Sequence, residues 1–397
     1  MNGKREKTVA EFFAGIGLMR MGLEHAGWTV KFANDIDDDK RQMYRDHFGD
    51  SKELVPGDIH KLDVGAIPGV TLATASFPCN DLSLAGARQG LAGAQSSAFW
   101  GFIDVLKTFK RQHRLPPLVL LENVTGFLTS HGGRDFEDAL LALNELGYVV
   151  DAFIIDAVRF VPQSRQRLFV VGVLRSNSAA LKDAPSFYES DVRPPALASF
   201  ILLHGDINWR IRRLPPLPQK SQKLAEILED LPLNHKMWWN RERCDYMLGQ
   251  MSPKHRAQAE AMIKGHETTY GTVFRRVRNG QSMAELRTDG IAGCLRTPRG
   301  GSGRQILFVA GKGKFAVRLL TPRECARLMG APDFKMNVSL NQALFGFGDA
   351  VCVRVVEWIA RNYLNPLLEE EFTPVVANGS QVKFTTYRTA AKNSQRA

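Results

Sequence analysis

Residues 8–35 read TVAEFFAGIGLMRMGLEHAGWTVKFAND, and this stretch decides the fold. TVAEFFA is a β-rich run, AGIG is a glycine turn, LMRMGLEHAG has helix-type apolar spacing, and TVKFAND is a second β-rich run closed by an acid. Strand, glycine turn, helix and strand in that order make one β-α-β unit, whose crossover leaves the two strands parallel. Working outward, DKRQMYRDHF continues as helix, and VTLATAS, PPLVLLEN and RLFVVGVL supply further strands. Helices are expected over residues 98–111 and 136–146, the second ending at Gly147. From Thr8 to Gly172 the chain therefore predicts an α/β domain on a mostly parallel sheet.

Beyond Leu174 the pattern dissolves into Pro- and Ser-rich stretches, SNSAALKDAPSFYESDVRPPALAS and RLPPLPQKSQ, which mark the entry to a second domain. One helix is expected there, at SQKLAEILEDL. Periodicity returns with TPRECARLMG and with GDAVCVRVVEWIARNYL, and beyond Pro366 the chain reads as a polar, frayed tail. The 397 residues carry 52 Lys and Arg against 41 Asp and Glu, a formal net charge of +11. Residues 205–305 hold 18 of those bases and 10 of those acids, so +8 of the excess is regional. Such a segment suits a polyanion, although a solvated basic surface would look the same. No run approaches the roughly 18 apolar residues of a membrane span, which predicts a cytoplasmic protein with no membrane association. Five scattered cysteines (Cys79, Cys244, Cys294, Cys325, Cys352) without CxxC or zinc-type spacing predict reduced thiols and no metal.

Chemistry gathers at the expected strand ends. Asp35 follows Gly15 by twenty residues, the spacing at which an acid closing the second strand can accept ribose hydroxyls. The third glycine of G-x-G-x-x-G is missing, with Met19, Arg20 and Met21 in that region, so a nucleoside without a pyrophosphate fits better. S-adenosylmethionine is such a ligand. Asp58 in PGDIH could hold an adenine amino group with Ile59 against the ring, and each acid taken alone is as well read as a turn or cap residue. VTLATASFPCN ends in Pro78 and Cys79, and the glycine-bearing run NDLSLAGARQGLAGAQSS that follows suits a lid over a thiol. PPLVLLENV places Glu122 and Asn123 at the same edge, where a carboxylate is partly desolvated and inclined to hold a proton. VPQSRQRLFVVG sets Arg165 and Arg167 two apart on one strand face, available to an anion or a carbonyl.

In order, FAGIG, NDID, GDI, FPC, ENV, QSRQR, GGSGRQ and TPRECARLMGAPD span Thr8 to Leu364, and together they resemble the cytosine-C5 DNA methyltransferase family of restriction-modification systems. The resemblance implies a Rossmann-like, mostly parallel S-adenosylmethionine domain with a second, smaller DNA-recognition domain. The expected division is 1–185 catalytic, 186–339 target recognition including TPRECARLMG, 340–365 a helix returning to the catalytic domain, and 366–397 a flexible tail. It implies methyl transfer to carbon 5 of a flipped-out cytosine in double-stranded DNA, by a monomer paired with a cognate endonuclease. Carbon 5 is too electron-poor to attack a sulfonium methyl directly, and a thiolate adding at C6 makes it enamine-like.

Cys79 is then the nucleophile, Glu122 the donor to N3 and the exocyclic amine, Arg165 the contact to O2, Arg167 the support of the loop and Glu122, and Asn80 the neighbour of the water that takes the C5 proton. The implied cofactor face is Phe13, Gly15, Ile16, Gly17, Asp35, Ile36, Asp58, Ile59, Pro78, Ala350 and Val351. For DNA it is Arg275, Arg276, Arg278, Arg299, Gly301, Ser302 and Arg304. Leu18, where many relatives carry glycine, and Asp349, where Asn is frequent, depart from the pattern. An RNA cytosine methyltransferase of the same architecture would need a Cys-Phe-Thr signature that is absent, and an inactive DNA-binding relative would not need Cys79, Glu122, Arg165 and Arg167 together. An NAD-dependent dehydrogenase lacks its third glycine and a hydride-site His.

Overall fold

A computed structural model describes residues 5–50, 52–78, 97–174, 189–220, 222–232, 234–278, 280–297 and 303–372. Among the described residues seven strands form the first sheet: β1 (Thr8–Phe12), β2 (Thr29–Asp35), β3 (Leu54–Pro56), β4 (Leu72–Ala75), β5 (Leu118–Val124), β6 (Tyr148–Asp156) and β7 (Gln166–Leu174). Their order is β3-β2-β1-β4-β5-β7-β6. Strands β1 to β5 pair in parallel, and β7 runs antiparallel to both β5 and β6. A second sheet of four antiparallel strands, β8 (Thr269–Arg278), β9 (Gln281–Arg287), β10 (Ile306–Gly311) and β11 (Lys314–Leu319), has the order β11-β10-β8-β9. The expected α/β class with a mostly parallel sheet is what the chain forms, and a second, antiparallel sheet is present beside it.

Helices cover both faces of the first sheet, so its central strands are buried along their whole length. On one face α3 (Ser97–Arg111), α4 (Arg134–Leu146) and α5 (Pro195–Leu203) bury Phe99, Phe102, Phe136, Leu140 and Leu197 against Ala10, Phe12 and Val119. Across the sheet, α1 (Leu18–His25), α2 (Asp38–Phe48) and α10 (Val353–Ile359) pack Leu23, Tyr44, Val355 and Ile359 on Val9, Leu72 and Leu118. A third cluster joins Ile16, Leu18 and Met43 to Leu295, Leu307, Leu328 and Phe347, bringing in α8 (Pro322–Leu328) and α9 (Leu340–Asp349). A fourth seats α6 (Arg241–Gly249) and α7 (Pro253–Lys264) on the second sheet. Among the described residues no helix is long and apolar enough to cross a membrane.

Two sequence expectations fail locally. SQKLAEILEDL forms a single 3-10 turn, Leu224–Ile227, and Leu228 is already extended. The reason lies in TPRECARLMG: Thr321 and Glu324 cap α8 reciprocally, and Glu324 also pairs with Arg318 at 2.6 Å in full burial. That pair takes the backbone of Glu229, whose N–H donates to Glu324 and whose carbonyl accepts from Arg318, so residue 229 cannot continue a helix. The C-terminal end is also longer than expected. After α10 the chain makes a π-helical turn, Ala360–Leu364, and continues as α11 (Asn365–Phe372) through Pro366. Proline removes one helical N–H, and a wider turn before it accommodates the missing bond. Leu367 and Leu368 are buried and Glu370 pairs with Arg212 at 2.7 Å, so ordered structure passes the expected start of the tail.

Leaving Arg318 buried without its carboxylate exposes the full desolvation penalty. Glu324→Ala should therefore cost about 3–5 kcal/mol in urea unfolding, against under about 1 kcal/mol for Glu260→Ala in the exposed Arg256 pair.

Candidate active site

Strand order reverses between β1 and β4, and in open α/β sheets ligands bind beyond the carboxyl ends of the strands at such a point. The glycine turn leaves β1 there, and Phe77–Pro78 leaves β4 beside it. Phe13 and Gly15 both have φ 57, and Gly17 has φ 82. The left-handed value is strained for Phe13. At Gly17 a Cβ would stand 2.3 Å from the Phe48 ring, so glycine is required. Ile16 is buried beneath the turn. Leu18 opens α1 and is itself buried against Met21, Met43 and Phe347, which accounts for the departure noted above as a packing exchange.

Asp35 organises this turn. One carboxylate oxygen accepts the Gly15 N–H at 2.7 Å and the other accepts the Asp37 N–H at 2.8 Å. Burial pushes its carboxyl above the ordinary value, while these two N–H groups and Lys40 work the other way. Ile36, next in sequence, is 66% exposed, an apolar side chain left uncovered beside the acid. Asp58 caps the short turn Ile59–Lys61 by accepting from His60 N–H, and Ile59 is buried in the sheet-face core. Pro78 is exposed, Ala350 half-buried and Val351 buried. The departure at Asp349 has a partner in Lys40, 2.7 Å away, which ties α2 to the end of α9 and keeps the lysine more basic than usual once burial is outweighed.

A second set of polar side chains lies at the carboxyl end of β5. Glu122 is 5% exposed and faces Arg167, Oε1 to Nε 3.0 Å. Asn123 Nδ2 donates to the carbonyl of Phe77 at 3.2 Å, fixing the segment that leads into Pro78 and Cys79. Cys79 and Asn80 themselves, like Arg299, Gly301 and Ser302, lie outside the described residues.

Arg165 differs from the expected contact to a base carbonyl. Its guanidinium is buried, 2% exposed, and donates to the carbonyls of Leu295 at 2.8 Å, Gly348 at 2.9 Å and Ala350, and to the sulfur of Cys294 at 3.2 Å. Burial, then the adjacent Arg167, lowers its proton affinity, and Cys294, Glu122 and Asp349 offset part of that. Gly348 fits because a Cβ there would lie 2.6 Å from the backbone nitrogen of Thr297. The roles separate: Arg165 clasps backbone, and Arg167 accompanies Glu122.

Several participants went unnoticed in the sequence. Gln163 is fully buried, accepting from Leu295 N–H and donating to the Leu328 carbonyl, and the alternation Gln163, Arg165, Arg167 was its signal. Burial pushes the Cys294 thiol up, but Arg165, Arg167 and Arg296 reverse the balance, so its net direction is downward. Glu11, in the middle of β1, is buried with neither carboxylate oxygen partnered. Burial, with smaller contributions from Glu24 and Asp35 against Arg20, pushes its carboxyl up to about 8.

On the basic side, Arg275 is half-buried, Arg276 is exposed and 3.7 Å from Glu285, and Arg278 closes β8 with a side chain outside the description. Arg304 donates to Asn341 at 2.8 Å.

A glycine turn with its acid, at the ends of β1 and β2, and a carboxylate–guanidinium pair, at the end of β5, thus stand on either side of β4 at the carboxyl edge of the sheet. The family model described as C-5 cytosine-specific DNA methylase matches residues 7–365. Type II methyltransferase M.NgoBI of Neisseria gonorrhoeae is 35% identical over 353 residues, 88% of this chain and 90% of that protein. For Type II methyltransferase M.DsaV of Dactylococcopsis salina the identity is 30% over 365 residues, 91% and 87% of the two chains. Among solved structures, the S. pombe Dnmt2 methyltransferase shares the fold with a TM-score of 0.58 and 20% identity, over 91% of this chain and 99% of that one. The Entamoeba histolytica methyltransferase EhMeth gives 0.61 and 15%, over 92% and 98%. The chain belongs to the C-5 cytosine-specific DNA methylase family and is a DNA cytosine-5 methyltransferase.

Glu11 gives this framework a pH dependence. An unfolded Glu titrates near 4.5 and the folded one near 8, so between these values folding takes up a proton and stability falls as pH rises, levelling above about 8. Glu11→Gln removes the titration. At pH 8 it should unfold at higher urea than the wild type, by on the order of a few kcal/mol, with the two converging toward pH 5.

Proposed function

We propose that the chain transfers a methyl group from S-adenosylmethionine to carbon 5 of a cytosine turned out of a specific duplex, through a covalent bond between Cys79 and C6. The observation that carries this reading is the hydrogen bond from Asn123 to the Phe77 carbonyl, because it couples the segment entering Cys79 to the strand end that bears Glu122. A stacked base cannot reach such a crevice, so the nucleotide must leave the helix.

The residues present fit the cofactor. The Phe13–Gly17 turn offers close backbone approach, Asp35 retains acceptor capacity for ribose hydroxyls beyond its two N–H bonds, and uncovered Ile36 offers an apolar face. Asp58 with Ile59, Pro78, and Ala350 with Val351 complete the proposed wall. When bound, S-adenosylmethionine supplies an electrophilic methyl. The chain's own part is to raise the nucleophilicity of C5. Attack of the Cys79 thiolate at C6 pushes electrons toward N3, where Glu122 in its protonated form donates a hydrogen bond that strengthens as charge develops. Because Arg165 is committed to backbone carbonyls, Arg167 is the cation assigned to the base, and Arg165 positions the walls around it. A water near Asn80 takes the C5 proton, and loss of the thiolate restores the ring.

The region 186–339 is proposed to read the DNA, with Arg275, Arg276, Arg278, Arg299, Gly301, Ser302 and Arg304 on its duplex-facing side. The names of the relatives support a place in a restriction-modification pair, in which methylation shields sites from an endonuclease.

Labelled methyl incorporation into DNA tests the assignment. Cys79→Ala should abolish turnover with DNA binding retained, and Glu122→Gln should lose roughly 10²- to 10⁴-fold in rate with cofactor affinity unchanged. Methyl transfer kept in Cys79→Ala and lost in Cys294→Ala would move the nucleophile to the other thiol.

A further inference from the structure

Carboxylates neutralise most arginines on and around the second sheet: Arg241 meets Asp245 at 2.8 Å, Arg276 meets Glu285 at 3.7 Å and Arg287 meets Asp289 at 2.7 Å. Among the described residues no carboxylate pairs with Arg243, Arg275 or Arg304. Arg304 has the neutral amide of Asn341, and the Nε atoms of Arg275 and Arg304 are buried without an acceptor.

These three arginines converge. Arg243 lies 3.9 Å and Arg275 5.9 Å from the centre of the Trp239 ring. The antiparallel register that pairs Ile306 with Val273 brings Arg304, two residues earlier, level with Arg275, two residues later. Arg243 belongs to the first turn of α6, which Asn240 caps, so unpaired backbone N–H groups add positive potential at the same place. Burial, followed by repulsion from Arg275 and Arg304, lowers the proton affinity of Arg243. Like charges facing one another across a sheet destabilise it. An arrangement that the protein leaves repulsive is relieved when an anion binds among the guanidiniums.

We propose that Trp239, Arg243, Arg275 and Arg304 form one site for backbone phosphates of the duplex. This rests on the reading that the chain acts on DNA, and goes beyond it by adding Trp239 and Arg243 and by assigning the group to phosphate positioning. Three crowded cations match phosphate oxygens, whereas base edges carry no net charge. The flat face of Trp239 holds two guanidiniums in place without neutralising them.

The test uses the full chain and a fluorescently labelled duplex of mixed sequence, with binding measured by anisotropy across salt concentrations. Arg243→Gln and Arg275→Gln should each weaken binding and flatten the slope of log K against log salt by about 0.9, while Arg243→Lys keeps the slope. Removing one repelling charge should leave the urea midpoint equal to or above that of the wild type. Unchanged slopes in variants that still bind DNA would overturn the phosphate site and leave the DNA reading standing. A lowered midpoint with an unchanged slope would show a purely structural cluster, again against the proposal. Wild-type protein that bound no duplex would overturn the DNA reading and this site with it.

Discussion

The Arg165 guanidinium is the constraint on which the site depends. A buried arginine keeps its charge, so its N–H groups need acceptors inside the protein. Its two terminal nitrogens find them on two stretches far away in sequence, Cys294–Leu295 and Gly348–Ala350, and hold both against the start of β7, while Nε stays buried without one. Gln163, two residues earlier, adds a second tie to Leu295 and one to Leu328. Through these bonds the strand end beside Glu122, the approach to the second sheet and the end of α9 become one rigid wall. Arg167 is thereby released for the carboxylate next to it.

Much of this architecture was legible because local chemistry and global fold agree. The glycine turn between TVAEFFA and the first helix has to be a strand-to-helix junction, and the acid twenty residues on does reach back to it, as the Asp35–Gly15 bond shows. Buried runs such as LVLLENV announce strands covered on both faces. What the sequence could not disclose is which of two like residues goes inward. Arg165 and Arg167 stand two apart as if on one strand face, but β7 begins only at Gln166, and the difference between them comes from carbonyls more than a hundred residues away. The failed helix at SQKLAEILEDL has the same origin, since its periodicity was sound and the Arg318–Glu324 pair captured its backbone. Lys40 and Asp349 likewise carry no hint of one another until the fold brings them to 2.7 Å.

Unsatisfied groups mark where the molecule departs from plain stability. Glu11 is buried without a partner beneath the glycine turn, Phe13 is strained within it, and the arginines around Trp239 repel one another. Each is unfavourable in the free protein, and Phe13 and the arginines lie on surfaces proposed to meet cofactor or DNA. Proteins tolerate such features where binding relieves them. At α8, by contrast, Thr321 and Glu324 cap the helix reciprocally, and Glu324 is paired with Arg318.

The proposed covalent bond from Cys79 to C6 is measured most directly by trapping. In duplex DNA carrying 5-fluorocytosine at the methylated position, the C5 substituent cannot leave as a proton, so an adduct that has received its methyl cannot collapse. The expected result is a protein–DNA complex that survives denaturant, forms only with S-adenosylmethionine present, and yields a peptide modified at Cys79. Full binding of DNA and cofactor with no such complex, or a modified peptide containing Cys294 in place of Cys79, would contradict it.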